Sequence, residues 1–254
     1  MPKLSAVIIT LNEERNIGRC IDSVAGVADD ILVVDSGSTD RTESICKEKG
    51  VRFYFHAWEG YLEQKNYANS LAEFPHILSI DADEALSDPL RESILSVKEN
   101  MQADSYAMNR LTNYCGKWIR HCGWYPDTKV RLFHRDKFAW GGERIHEVLY
   151  KKDPEATTGH LRGNLLHYSY YSISQHIAQA NHFTDLTALT AVEKGKKAGM
   201  FKILFSPAFK FFRDYVLKMG FLDGYYGYIV CRISAQATFM KYSKIRQIRR
   251  EKTN

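Results

Sequence analysis

Three carboxylates stand almost side by side at the end of the apolar run His76-Ile77-Leu78-Ser79-Ile80-Asp81-Ala82-Asp83-Glu84. Carboxylates so crowded repel one another unless a cation sits among them, and two of them one residue apart at a strand's end can share a hard divalent metal. Asp81 and Asp83 are therefore candidates for holding Mg2+ or Mn2+ against a diphosphate. A bare Asp-x-Asp equally suits an acidic turn that caps the next helix, so its surroundings must decide.

Those surroundings alternate strand and helix. Leu4-Ser5-Ala6-Val7-Ile8-Ile9-Thr10 is a nearly continuous β-branched run, the pattern of a strand buried on both faces of a parallel sheet. Asn12 is expected to cap a helix whose first turn carries Glu13 and Glu14 and whose apolar positions Ile17, Cys20, Ile21 and Val24 recur at helical spacing. A second strand, Ile31 to Val34, ends in Asp35, and Ser36-Gly37-Ser38-Thr39-Asp40 is a turn leading to a helix that stops at Gly50. Strand 51–55, helix 61–74 and strand 77–80 follow. Four such repeats with short links predict a doubly wound, mostly parallel sheet whose ligand lies beyond the carboxyl ends of the strands. Thr10, Asn12, Glu13, Asp35, Asp81 and Asp83 then share one rim. No G-x-G-x-x-G follows the first strand and no P-loop occurs, which counts against NAD, FAD and P-loop chemistry. An Asp after the second strand suits a ribose or base edge, and carboxylates with a metal suit a diphosphate. Those parts describe a nucleotide diphosphate attached to something.

Beyond a helix at 87–100, strand-like alternation at 105–113, 129–134 and 144–150 predicts a smaller mixed or antiparallel sheet. The five cysteines are scattered without a C-x-x-C pair, so neither a zinc site nor a disulfide framework is expected. The chain enters its first strand at once, leaving no room for a signal peptide, and has no uncharged apolar run of membrane-spanning length. A cytoplasmic protein is expected. Its net charge of +5 is unevenly spread: residues 200–254 carry 11 Lys/Arg against 3 Asp/Glu, a net of +8, so residues 1–199 sum to −3. After a helix at 172–196, aromatics alternate with cations through Phe201, Lys202, Phe205, Phe209, Lys210, Phe212 and Arg213. Helices of this kind lie in a membrane interface with the apolar face down and cations on anionic head groups. A helical pair packed on the domain with solvated cations reads the same. No recognised nucleic-acid module accompanies the pattern, so no nucleic-acid partner is expected.

Val7-Ile8-Ile9-Thr10-Leu11-Asn12-Glu13, Val33-Val34-Asp35-Ser36-Gly37-Ser38-Thr39-Asp40 and Asp81-Ala82-Asp83-Glu84 together resemble the family 2 inverting glycosyltransferases of the GT-A fold. The likeness continues through Gly123-Trp124-Tyr125-Pro126-Asp127, Val130-Arg131-Leu132-Phe133, Ile145-His146-Glu147 and Gly220-Phe221-Leu222-Asp223-Gly224, a set similar to the bacterial lipopolysaccharide or lipooligosaccharide core β-1,4-glucosyltransferase group. The resemblance implies a GT-A catalytic domain over 1–171, with a nucleotide-binding half at 1–100 and an acceptor half at 101–171, followed by the basic, aromatic helical segment 172–254. It implies a hexose, glucose in that group, moved from a nucleotide-diphospho-sugar such as a UDP-sugar to a glycolipid acceptor by a peripheral protein at the inner face of the cell membrane. Thr10, Asn12, Glu13 and Asp35 would contact the nucleotide, Asp81 would lie near the ribose or metal, and Asp83 would be the direct metal ligand. Glu84 either joins them or caps the next helix. Lys65, in Gln64-Lys65-Asn66, would face the nucleotide, where a point charge meets phosphate, unless it belongs to a solvated helix face.

An inverting transfer also needs a carboxylate to take the acceptor's proton. Asp127, Asp136, Glu143, Glu147 and Glu155 are the candidates. Asp136 and Glu155 sit in polar, turn-like contexts. Glu147 lies among apolar neighbours in Arg144-Ile145-His146-Glu147-Val148-Leu149, where burial would raise its pKa toward a useful base. Ile-His-Glu also matches the family's base-bearing Val-His-Glu, so Glu147 is the expected base and Asp127 the second. Trp124 and Tyr125 suit stacking on a sugar face or packing in a core. Arg131 is expected to pair with a carboxylate or phosphate, and His146 to orient Glu147 or bind phosphate.

Overall fold

The computed structural model describes residues 1–143 and 146–252, and gives the backbone alone for 143, 146 and 147. The chain forms two compact units, Met1–Arg110 with Asp127–Tyr168, and Leu111–Pro126 with Ser169–Asn254. In the sequence the boundary is expected at 171/172; the excursion 111–126 belongs with the C-terminal segment.

The first unit begins β1 (Leu4–Thr10), α1 (Ile17–Val24), β2 (Asp30–Asp35), α2 (Thr42–Glu48), β3 (Arg52–Phe55), α3 (Tyr61–Ser70), β4 (His76–Asp81). β1 is buried along its whole length, as a two-faced strand requires. β1 pairs parallel with β2 on one side and β4 on the other, and β2 pairs parallel with β3. This is the α/β architecture expected. α1 starts later than expected because Asn12 takes a left-handed backbone (φ 53°) and the Glu13 carbonyl accepts from the Asn16 and Ile17 amides. Asn16, not Asn12, stands at the N-terminal cap. α3 ends at Ser70 rather than Phe74, since the Glu73 and Phe74 amides donate to Asp30 and Ser5 across the sheet.

The chain continues through β5 (Glu84–Leu86), α4 (Asp88–Glu99), β6 (Ser105–Tyr114), β7 (Lys117–Ile119), β8 (Asp127–His134), β9 (Phe138–Glu143), β10 (His146–Lys151) and β11 (Thr158–Tyr170). The main sheet runs β3-β2-β1-β4-β8-β6-β11-β5, with β7 on β6. β8 joins β4 antiparallel, and β6 joins β8 the same way. Two of the strands expected in a separate small sheet therefore extend the large one. Only β9 and β10 form a two-stranded antiparallel sheet of their own. β5, β7, β9 and β11 are not anticipated by the sequence reading. Gly163 in β11 has φ 91°, and a Cβ there would come within 2.4 Å of the Leu90 amide nitrogen, so β11 passes α4 only as glycine.

The second unit is helical: α5 (Ile173–Glu193), α6 (Met200–Phe212) running into a π-helical turn at 213–217, a 3-10 turn at 220–223, and α7 (Gly224–Glu251). α5 opens with a capping box between Ser172 and Gln175. No helix of the described residues is long and apolar enough to cross a membrane.

Candidate active site

Register brings the rim together. Thr10 pairs with Asp35 and Ile9 with Asp81, so the ends of three parallel strands lie abreast in the first unit. The loops beyond them are stitched by the residues expected to hold a nucleotide. Asn12 accepts from the Thr39 amide (2.8 Å) and donates its own amide to Ser38 Oγ (2.7 Å). The Glu13 amide donates to Thr42 Oγ1 (2.8 Å) and the Glu14 amide to Asp40 (3.0 Å). Asp35, buried, accepts from the amides of Gly37 (2.8 Å) and Ser38 (2.7 Å) and from the Ser38 hydroxyl. Asn12 and Asp35 thus fix the loops that frame the rim. Thr10 Oγ1 lies buried among them with no hydrogen-bond partner, a polar atom available to a ligand.

The two aspartates of the acidic motif occupy different environments. Asp81, the last residue of β4, has one carboxylate oxygen 3.2 Å from Lys65 Nζ and the other 2.8 Å from Arg131 Nη2. Burial alone would raise its pKa, but Arg131 and then Lys65 overcome that and hold the carboxyl far below its usual range. Glu84, fully buried in β5, accepts from Arg131 (2.8 Å), Arg110 (3.3 Å) and the Asp81 amide (3.0 Å). It braces the loop between the aspartates and caps no helix; Ser87 stands at the α4 cap. Arg110 in turn grips Asp127 with Nε (2.9 Å) and Nη2 (2.7 Å), and Lys129 lies 3.0 Å from the other Asp127 oxygen. Cations and carboxylates so alternate in one line from Lys65 to Lys129. Asp81 Oδ2 accepts from Arg131, whereas Oδ1, ion-paired with Lys65, accepts no hydrogen bond and is left for a ligand. Lys65 is not on a solvated helix face; it is buried, with Nζ against Asp81 and 4.6 Å from the Trp140 ring.

Asp83, whose side chain is as open as that of Asp81 (26% against 29% exposed), pairs with a histidine instead. Its Oδ2 lies 3.1 Å from Nε2 of His167, a β11 residue that the sequence reading missed, and both side chains are partly exposed. Leu165-Leu166-His167-Tyr168 has strand character, but nothing in it points His167 to Asp83. The Tyr168 amide donates to the Asp83 carbonyl (2.9 Å), fixing β11 beside the motif. Glu13 completes the group. Burial pushes its pKa up to about 7; the Asn16 hydrogen bond opposes this, the charges of Asp83 and Asp40 add to it, and that of His167 subtracts. A divalent cation fits Asp83 and His167: one oxygen and one imidazole donor lie within reach of each other, and mutual repulsion with Glu13 is the kind a cation relieves. Among the described residues no three His, Cys, Asp or Glu side chains converge as a closed metal cage. Such a site leaves positions open to substrate oxygens and water.

Burial works to raise the Asp127 pKa, yet Arg110 and Lys129 hold it below the usual carboxylate range, which makes it a weak base. Trp124 belongs to the second unit, in an aromatic group with Tyr114, Tyr170 and His176 at ring separations of 5.6–6.0 Å. Tyr125, also there, precedes a cis peptide to Pro126 and lies 6.0 Å from the Arg120 guanidinium. Glu147 lies opposite Gly142 and His146 opposite Glu143 in the small sheet; their side chains are outside the described residues. Asp136 and Glu155 are exposed.

The chain matches relatives along nearly its whole length. It is 32% identical to an uncharacterized glycosyltransferase of Rickettsia bellii over 97% of this chain and 87% of that one. It is likewise 32% identical to the lipopolysaccharide core biosynthesis glycosyltransferase LpsC of Rhizobium meliloti, over 97% and 94%. The solved structure of S. aureus TarS 1-349 superposes with a TM-score of 0.46 at 14% identity, covering 98% of this chain and 92% of that one. The model for glycosyl transferase family 2 matches residues 5–154, the stretch that holds both aspartates and all three parallel strand ends, and the chain belongs to that family.

Proposed function

We propose that this glycosyltransferase moves a hexose, with inversion, from a nucleotide-diphospho-sugar, a UDP-sugar in the first instance, to a hydroxyl of a glycolipid of the lipopolysaccharide core type. The observation that carries the reading is the division of labour at the rim, where Asp81 is neutralised by Lys65 and Arg131 while Asp83 is paired with His167 beside Glu13. The acceptor class is supported by the R. meliloti relative, whose name places it in lipopolysaccharide core biosynthesis. Donor and acceptor of this kind meet at the cytoplasmic side of a membrane.

Thr10 and the loops fixed by Asn12 and Asp35 would cradle the nucleoside. Asp83 and His167 would hold a divalent cation, which when bound neutralises the diphosphate as it leaves. An imidazole donor favours Mn2+ over Mg2+. Lys65, Arg131 and Glu84 keep the loop between the aspartates in place. Glu147 would take the proton of the acceptor hydroxyl, since Asp127 is pinned by Arg110 and Lys129.

Purified protein offered a panel of nucleotide sugars with Mn2+ or Mg2+ and a core glycolipid should release nucleoside diphosphate; pyrophosphate would instead mean nucleotidyl transfer. Glu147→Gln should lower turnover by about a hundredfold or more with little change in donor KM. Asp127→Asn with an equal loss would move the base to Asp127. Mn2+ binding, read by calorimetry without substrate, should weaken by about tenfold or more in His167→Ala, and an unchanged affinity removes His167 from the site.

A further inference from the structure

The surface of the second unit is unusually apolar over one continuous stretch. Of the 25 large hydrophobic residues the described chain leaves exposed, 13 fall between Met200 and Tyr228. α6 buries a single residue, Ile203. Phe201, Phe205, Phe209 and Phe212 recur at spacings of four, four and three, which sets them on one side of the helix, and they are 50–73% exposed. The stripe continues into Leu217 in the π-helical turn and Phe221 in the 3-10 turn, 61% and 48% exposed. A folded protein rarely leaves so much contiguous apolar surface without a partner.

The charges around the stripe say what covers it. Residues 194–222 contain seven Lys/Arg and one acid, Asp214. That acid is 1% exposed and bonded to Lys210 and Arg213, so the exposed part of the stretch carries no carboxylate. A second copy laid face to face would set cations against cations with nothing to neutralise them. A nucleic acid would welcome the cations, but the aliphatic side chains of Leu204, Leu217 and Leu222 offer it neither stacking nor hydrogen bonds. A surface with an apolar interior and anionic head groups satisfies both features at once. Since no described helix is long enough to cross a bilayer, such a stripe lies in the interface plane.

We propose that α6 and the turns at 213–223 form a docking face for an anionic lipid surface, with Phe201, Phe205, Phe209, Phe212, Leu217 and Phe221 entering the head-group boundary and Lys196, Lys197, Lys202 and Lys218 on the lipid phosphates. The face stands on the second unit's surface alone, whatever the donor and acceptor prove to be.

Co-sedimentation of the full chain with vesicles tests it. The protein should pellet with vesicles of phosphatidylglycerol and phosphatidylcholine in equal parts, less so as salt rises, and only weakly with phosphatidylcholine alone. Phe205→Ser/Phe209→Ser should weaken partitioning by about tenfold or more at every salt concentration, with an unchanged thermal midpoint because both side chains are already in solvent. Lys197→Glu/Lys202→Glu should weaken binding to the anionic vesicles alone, by roughly fivefold or more for each cation removed. The proposal fails if the protein stays in the supernatant, if it binds both vesicles equally, or if the paired Phe variant abolishes a dimer seen by equilibrium sedimentation and leaves vesicle binding intact.

Discussion

Arg131 is where the charge balance of the rim is decided. It is 4% exposed and meets Asp81 and Glu84 with the same terminal nitrogen, each at 2.8 Å. Removing it leaves Glu84, fully buried, facing Arg110, and Asp81, whose side chain is 29% exposed, facing Lys65. Arg131→Met should cost about 3–5 kcal/mol of stability, because breaking a buried pair exposes the full desolvation penalty of what remains. Urea denaturation would measure it, and a loss below about 1 kcal/mol would mean that water reaches the pair. Arg131→Lys should recover only part of the loss, since an ammonium is more strongly hydrated and costs more to bury. Little of this division was legible in the sequence. One intervening residue makes Asp81 and Asp83 look like equal halves of a metal site; only the register of β4 and the cations brought from α3 and β8 separate the neutralised carboxylate from the one paired with histidine. His167 was invisible for a similar reason. Its partner is 84 residues away, and no local pattern encodes that distance.

At the scale of elements, the continuous runs were the easiest to read, because β1, β2 and β4 are buried on both faces and carry scarcely a polar interruption. β11 was missed because its thirteen residues alternate irregularly between buried and half-buried positions and include a glycine at positive φ. α3 was read correctly in kind although its buried residues include Gln64, Lys65 and Asn69; its helical pattern serves the site as much as the core. In the second unit, the 3-10 turn at 220–223 is a specific one. Asp223 accepts from the His121 amide (2.8 Å) and the Arg120 amide (3.1 Å), tying the turn to the 111–126 excursion. α7 then passes so close that a Cβ on Gly227 would sit 2.0 Å from the Gly220 carbonyl oxygen and 2.9 Å from Asp223 Cβ. Gly227→Ala cannot be absorbed by a rotamer, because the first obstacle is backbone. It should cost about 3 kcal/mol, the upper part of the usual overpacking range, and lower the thermal midpoint of the second unit. Gly199→Ala, with nothing within 4 Å of the added carbon, is the matched control and should leave that midpoint in place.

For the whole molecule, the resemblance implied one cut at 171; a short aromatic excursion at 111–126 does not announce that it folds with residues 62 to 103 positions later. One group in each unit responds to acid in the opposite sense. In the second, His176 is 5% exposed, with Nδ1 3.1 Å from the Tyr114 hydroxyl, and burial pushes its pKa down to about 4. An unfolded histidine takes up its proton near pH 6.5, so between 6.5 and 4 the unfolded state binds the proton and the folded one refuses it. The stability held at neutral pH is therefore lost as pH falls through that window. In the first unit Glu13 does the reverse: with its folded pKa raised to about 7, above the ordinary 4.5, its contribution is full at low pH and lost as pH rises from 4.5 to 7. Urea titrations at pH 7, 6 and 5, with divalent cations chelated, should show the second unit weakening on acidification. His176→Phe should flatten that slope. Glu13→Gln should flatten the opposite slope in the first unit, and so should Mn2+ in the unsubstituted protein, because a cation beside Asp83 and His167 favours the ionised carboxylate and returns Glu13 toward its ordinary range. If Mn2+ leaves the pH response of the first unit unchanged, the cation does not bind beside Glu13, and the metal assignment of Asp83 falls with it.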